Sequence, residues 1–441
     1  MRTIAVRRPE IMFLATLAVF VVVLIGRTAL GRIPAPVAVS PEAPAPVTLS
    51  AEQQIAKLQD RIRRNPDDVA AYEQLGAALI QRVRETADPS LYTRADQAFA
   101  EALKRDPSSF DALIGQGSLA LSRHQFADAL RLGTRARTAN AYNAVALGVI
   151  GDAQIELGQY EAAADTFQKM VDTRPDLRSY SRVSYLRELR GDTAGAIDAM
   201  QRAVRAGGPV SEQTLWTQVQ LGHLYFNSGD IQSAERTYMQ TLEAQPDYIY
   251  AFAGIARVRA AQGKYGQAID FYQQIIKTLP LPEFVIALGE AYEANGQPNQ
   301  AKQQYDLVRA MQQLNASAGM DVDMELALFD ADHGADPAQA VVRARASYAR
   351  RPSIYGAEAL AWALYQHGEY TEAARYSQLA LRLGTRDAAM HYRASMIALA
   401  LNDRPSAREQ LRQALTINPY FSVRYGEPAR QKLAELDKDA K

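Results

Sequence analysis

The densest grouping of metal-ligating side chains in this 441-residue chain is Asp330-Ala331-Asp332-His333, with Asp321, Asp323 and Glu325 just upstream. Carboxylates joined by one imidazole are donors that a divalent cation accepts. On that reading the chain is an accessory metal- or ligand-handling protein built around Asp330, Asp332 and His333. Two features weigh against it. No glycine-punctuated calcium loop surrounds the acids, and Asp330 and His333 fall at an expected helix end, where polar residues belong anyway. His367 and His391 could approach each other between neighbouring helices, but no clear third ligand accompanies them. Signals for catalysis are weaker still. The sequence has no Gly-x-Ser-x-Gly elbow, no glycine-rich phosphate loop and no His-Glu-x-x-His, and its five histidines are scattered. Cysteine is absent, which removes disulfides, thiolate metal sites and a cysteine nucleophile. The residues read as those of a non-enzymatic protein without a cofactor.

The elements that would position these groups are set by a pattern returning about every 34 residues between Asp67 and Pro419. A small residue is followed by an aromatic or aliphatic one four later, a small one three further on, and often a proline. Ala95, Phe99, Ala102 and Pro107 show it first; Ala163, Phe167, Met170 and Pro175 repeat it. Ala234, Tyr238, Thr241 and Pro246 follow, then Ala268, Tyr272, Ile275 and Pro280, and finally Ala407, Leu411, Ala414 and Pro419. Pairs such as Leu75-Gly76, Ile150-Gly151, Leu221-Gly222 and Leu288-Gly289 stand upstream. Small residues let two helices approach closely, large ones fill the holes between them, and proline stops the second helix.

In period and residue pattern this resembles the tetratricopeptide repeat. The resemblance implies an all-α, right-handed superhelical solenoid of about ten helix pairs, with pairs 1–7 over residues 67–314 and pairs 8–10 over 320–419. Ser50 and Gln53 have the spacing of a capping box, opening an amphipathic helix over 50–66 that covers the first pair. A closing helix and tail occupy 420–441, and a break is expected at Asn315 to Gly319. The pattern departs from the family at Val183-Ser184 and over Asp321 to His333.

A solenoid of this family presents the first helix of each pair on its concave face. The repeat frame places Tyr185, Trp216, His223, Phe226 and Tyr250 there in the middle of the array. Near the carboxyl end it places Tyr355, Glu358, Trp362, Tyr365 and Tyr392 on the same face. Large rings bury much area with few rotors, which suits peptide binding; the same rings could instead plug the superhelix interior. Glu283, Glu290 and Glu293 lie between the two groups and read as ordinary helix-surface charge. Some members of the family grip a terminal carboxylate with Lys and Asn. This chain lacks that set, and Asn227 is isolated. The resemblance implies a protein partner, as a peptide or helix segment docked in the groove.

Lys plus Arg and Asp plus Glu each number 49, so nothing in the charge balance favours nucleic acid. Residues 1–10 carry Arg2, Arg7 and Arg8, and 11–30 form an apolar run long enough to span a bilayer once Arg27 snorkels. We read it as an uncleaved signal anchor, with secretion after signal cleavage as the alternative. The arginine bias puts the amino terminus in the cytoplasm and the repeats outside it. Residues 31–49, rich in Pro and Ala, form an extended linker between anchor and repeats.

Overall fold

The computed structural model describes residues 50–208, 211–334 and 336–439. The expected anchor and linker, 1–49, lie outside the described residues. Among the described residues there are 22 helices and no strand, and no helix is long and apolar enough to cross a membrane.

Helix α1 (Ala51–Arg64) is opened by the Ser50/Gln53 capping box, and its Ile55, Leu58 and Ile62 pack on the first pair. That pair is α2 (Val69–Thr86) with α3 (Ser90–Arg105), followed by α4 (Phe110–Ser122) with α5 (Phe126–Ala139). The third is α6 (Ala144–Glu156) with α7 (Tyr160–Thr173), and the fourth α8 (Leu177–Leu189) with α9 (Thr193–Ala206). The fifth is α10 (Glu212–Asn227) with α11 (Ile231–Ala244), and the sixth α12 (Ile249–Ala261) with α13 (Tyr265–Thr278). The seventh is α14 (Pro282–Ala294) with α15 (Pro298–Ser317), and the eighth α16 (Asp323–His333) with α17 (Pro337–Arg350). The ninth is α18 (Ile354–His367) with α19 (Tyr370–Ala380), and the tenth α20 (Ala388–Ala400) with α21 (Arg404–Ile417). Helix α22 (Gly426–Lys438) closes the chain. The break expected from Asn315 is displaced, because α15 continues as helix through Ser317.

The Leu-Gly and aromatic positions lock together. A Cβ at Gly76 would lie 2.5 Å from the Phe99 ring, and one at Gly254 2.6 Å from Tyr238, so a glycine on each first helix seats the aromatic of a second helix. Ser184, which replaces the glycine in the fourth pair, is fully buried and donates its hydroxyl to the Ala196 carbonyl at 2.7 Å. The departure is therefore satisfied locally.

The array also closes on itself. The turn inside each of the first five pairs lies against a loop about six pairs further on. Ala87, in the first turn, packs in the cluster containing Leu281, which precedes α14. In the second turn Gln125 donates to the Gly319 carbonyl at 2.9 Å, and the Arg123 carbonyl accepts from Asp321 N at 2.9 Å. In the third, Tyr160 Oη accepts from Ile354 N at 2.8 Å, while Arg351 pairs with Glu156 at 2.7 Å. In the fourth, Thr385 donates to the Leu189 carbonyl, and in the fifth Asn418 donates to the Phe226 carbonyl at 2.9 Å. The solenoid thus completes a turn in about six pairs, and its second turn rests directly on the first. No gap is left between turns for a ligand to enter sideways at these contacts.

Candidate functional site: the interior of the first turn

The first helices of pairs one to six, with Met170 and Met200 from two second helices, line an open cavity of about 1240 Å³, and Asp387 contributes from the second turn. Trp216 reaches into it with 43% of its surface exposed, its ring edge-on to Tyr250 at 5.0 Å. Tyr185 also lines the cavity, and burial holds its phenol well above the usual range. His223 Nδ1 sits 2.7 Å from Tyr238 Oη, and burial pushes its pKa down to about 3, so the ring is neutral at physiological pH. Phe226 is placed differently from the expectation. It is 1% exposed, covered by the Arg257 guanidinium 3.9 Å from its centroid, and belongs to the core.

Charges in the cavity are partly spoken for. Arg182 grips Asp152 through two hydrogen bonds of 2.8 and 2.7 Å, spanning α6 and α8. Arg84, Arg178 and Arg257 form no ion pair among the described residues, and neither do Glu188 and Glu212. Arg257 and Glu188 each hydrogen-bond Asn227, so a partner segment finds rings together with the charges of Arg84, Arg178 and Glu212, which no ion pair neutralises among the described residues.

The carboxyl-end group behaves otherwise. Trp362 is 2% exposed, stacked on Tyr365 at 4.7 Å, and its indole N–H donates to Asp332 at 2.7 Å. Tyr392 stacks on Tyr425 at 4.9 Å and meets Phe421 at 5.6 Å. Glu358 is buried against Arg393. Tyr355 packs beside the Ile155–Tyr160 cluster, its phenol held well above its normal pKa by burial. A segment after the last pair folds back against this face: Phe421 meets Tyr392, and Tyr425 meets both Tyr392 and Trp362. The expected groove face of Trp362, Tyr392 and Glu358 is thus interior core. The aromatic density of Tyr420, Phe421 and Tyr425, directly after Pro419, was the available signal for this plug.

A smaller cavity of about 450 Å³ lies between the plug, at Phe421 and Val423, and the wall carrying Trp216, Glu283 and Glu290. Burial, reinforced by Asp332 and Glu293 against the opposing Arg424 and Arg393, lifts the Glu290 pKa from 4.5 to about 7. The folded state then binds an extra proton between those values, so this contribution to stability is full below about pH 4.5 and lost as pH rises through 7. Glu290→Gln should stabilise the protein by about 1–3 kcal/mol at pH 8, a gain that fades towards pH 4.5. Urea midpoints of both chains across that range test it; a gain independent of pH contradicts the assignment.

The structure gives the metal reading no support. Asp330 is 5% exposed and bound by Arg343 at 2.6 Å, with Arg309 at 3.8 Å. Asp332 accepts from Trp362, from Tyr425 Oη at 2.9 Å and from Arg393 at 3.2 Å. The His333 ring lies 4.0 Å from Tyr305 and 4.8 Å from Phe329, and burial lowers its pKa to about 4. Asp321 and Asp323 clamp Arg350, and Glu325 pairs with Arg351. Each acid already has a cationic or hydrogen-bonding partner, and no group of three ligating residues converges among the described residues. His367 bonds Glu369 and His391 bonds Gln410, each separately.

Paired helices stacked around a lined interior define a helical-repeat interaction scaffold. Tetratricopeptide repeat profiles match residues 90–144, 120–188, 219–280 and 358–420, together about half of the chain. The chain belongs to the tetratricopeptide repeat family, whose members in general mediate protein–protein interactions and typically are not enzymes. It is 25% identical over 166 residues to "Tetratricopeptide repeat protein 1" of Schizosaccharomyces pombe, covering 35% of this chain and 16% of that one. It is 23% identical over 252 residues to "Protein CTR9 homolog" of Arabidopsis thaliana, covering 46% and 23%. The chain spans less than a quarter of the length of these relatives. A crystal structure of a tetratricopeptide repeat protein from Parabacteroides merdae aligns with 15% identity over 55% of this chain and 97% of that one, TM-score 0.40.

Proposed function

We propose that this protein is a non-enzymatic scaffold that binds a segment of a partner protein, as peptide or helix, inside the first superhelical turn. One observation carries the reading: Trp216 is 43% exposed where it lines the open cavity of the first turn, while the other tryptophan is 2% exposed. A large ring kept free at the centre of a concave surface is the kind of residue that dominates protein interfaces. The cavity, at about 1240 Å³, exceeds the roughly 300–1000 Å³ of small-molecule sites and suits a polymer segment. The apolar run at 11–30 supports tethering to a membrane, with the amino terminus cytoplasmic and the repeats outside. Reporter fusions to the carboxyl terminus read that orientation.

Trp216→Ala should weaken capture of the partner at least tenfold while leaving thermal stability within about 1 kcal/mol, because the ring is half free already. Photo-crosslinking from position 220 in both chains measures it. Undiminished capture by the alanine chain removes the cavity as the binding site.

A further inference from the structure

The wall of the cavity is not uniform. At the amino-terminal ends of three successive first helices it gathers two carboxylates around a run of rings. Glu212 and Trp216 lie four residues apart on α10, hence on one face, one turn from each other. Tyr248 and Tyr250 stand at the start of α12, and Glu283 and Phe284 at the start of α14. The rings form a chain: Trp216 to Tyr250 at 5.0 Å, Tyr250 to Tyr248 at 5.7 Å, and Tyr250 to Phe284 at 6.2 Å. Glu212 faces the larger cavity and Glu283 the smaller one, with Trp216 and Tyr250 lining both, and neither carboxylate forms an ion pair among the described residues.

A separate observation marks the same place as incomplete. Tyr248 is 6% exposed, lines the cavity, and its hydroxyl is buried without a hydrogen-bond partner among the described residues. Burial first, and then the nearby Glu212 carboxylate, pushes the ionisation of this phenol up. A buried hydroxyl left unmet is costly, and a ligand group that hydrogen-bonds its oxygen offsets part of that cost. A neutral phenol can accept a hydrogen bond, as can both carboxylates, so this wall is rich in acceptors. Trp216 adds a ring face, the surface to which a cation is drawn.

We propose that Glu212, Trp216, Tyr248, Tyr250 and Glu283 form a subsite for a cationic side chain of the bound segment, arginine in particular. The inference rests on the cavity being the peptide site. A guanidinium is planar enough to lie on Trp216, and its fork of N–H donors reaches carboxylate and phenol acceptors together, which a lysine ammonium does less well. The cation that faces this cluster from across the cavity is Arg84, whose field reaches Tyr250 along with those of Glu212 and Glu283. Arg84 is exposed and unpaired among the described residues, so it opposes a ligand cation and sets the selectivity of the site.

The test compares a fluorescein-labelled peptide of alternating arginine and glycine with its citrulline counterpart, which keeps shape and loses charge, on the full chain. Arginine should bind about tenfold more tightly than citrulline. Glu212→Gln with Glu283→Gln should abolish that preference, whereas Glu161→Gln with Glu243→Gln, on the outer helices, should preserve it. Arg84→Ala should strengthen arginine binding by severalfold. Equal binding of both peptides, displaced by Trp216→Ala, overturns the cation subsite and leaves the cavity as a peptide site. Binding of neither peptide, in a chain that still crosslinks its partner through position 220, overturns the subsite alone. Loss of crosslinking as well overturns both.

Discussion

Gly191→Ala should destabilise the protein by about 2–4 kcal/mol, whereas Gly263→Ala, at the equivalent turn two pairs later, should cost only about 1–2 kcal/mol. Both glycines have left-handed backbones, with φ of 73° each, so both substitutions carry the strain of a side chain there. They differ in what lies opposite. A Cβ on Gly191 would press into the Gly384 carbonyl oxygen of the second turn, while around Gly263 nothing described lies within 4 Å. Backbone cannot swing aside as a flexible side chain can, so relief requires the turns to part. Gly158, whose Cβ would stand 2.5 Å from the Pro352 carbonyl, should behave like Gly191; Gly296 should behave like Gly263. Equilibrium urea denaturation of the four variants reads the difference, and small-angle scattering shows whether the molecule lengthens. Equal losses at all four positions would mean that contact between turns contributes nothing to stability.

The two tryptophans should separate just as sharply. Trp362→Ala should cost about 3–5 kcal/mol, the range for deleting a large buried aromatic. Its ring is stacked on Tyr365, meets Tyr425 edge-on at 6.2 Å, and supplies the donor that satisfies Asp332. Losing it opens a cavity beside the carboxyl-terminal plug and leaves one hydrogen bond of a part-buried carboxylate unmade. Trp216→Ala removes no comparable packing. Thermal melts of the two variants, with hydrogen exchange at α22, measure both the size of the loss and its location. A Trp362→Ala chain that melts with the parent would show that the plug does not depend on this ring. Residues of one type, spaced to fall on the inner face of two different repeats, thus differ because Tyr425 packs on Trp362 in the second turn and no such segment covers Trp216 in the first.

That contrast marks where sequence reasoning stops. Helix pairing, the seating of Phe99 and Tyr238 against glycines, and the capping box at Ser50 all follow from contacts within one repeat or between neighbours, and a 34-residue period reports such contacts directly. Placing Trp216 and Tyr250 at the interior followed from the same frame. Arg84 and Glu212 were not singled out, since charged residues on helices are common and their lack of an ion-pair partner among the described residues is a property of the assembled cavity. The acidic stretch from Asp321 to His333 looked like a ligand set because the arginines that neutralise it stand on other helices, Arg343, Arg350 and Arg351 on or just after α17 and Arg393 on α20, and only packing brings them to the acids.

By itself, then, the sequence determined that this chain is a stack of paired helices with an aromatic-lined inner face, because repeat packing is local and periodic. The tertiary structure alone decided that the stack closes after about six pairs, that Tyr160 meets Ile354 and Thr385 meets Leu189, and that Phe421 and Tyr425 pack on Tyr392 inside the second turn. The physical reason is that superhelical closure sums many small rotations between neighbouring helices. No single rotation is legible in residue spacing, yet their total determines which ring stays free to bind.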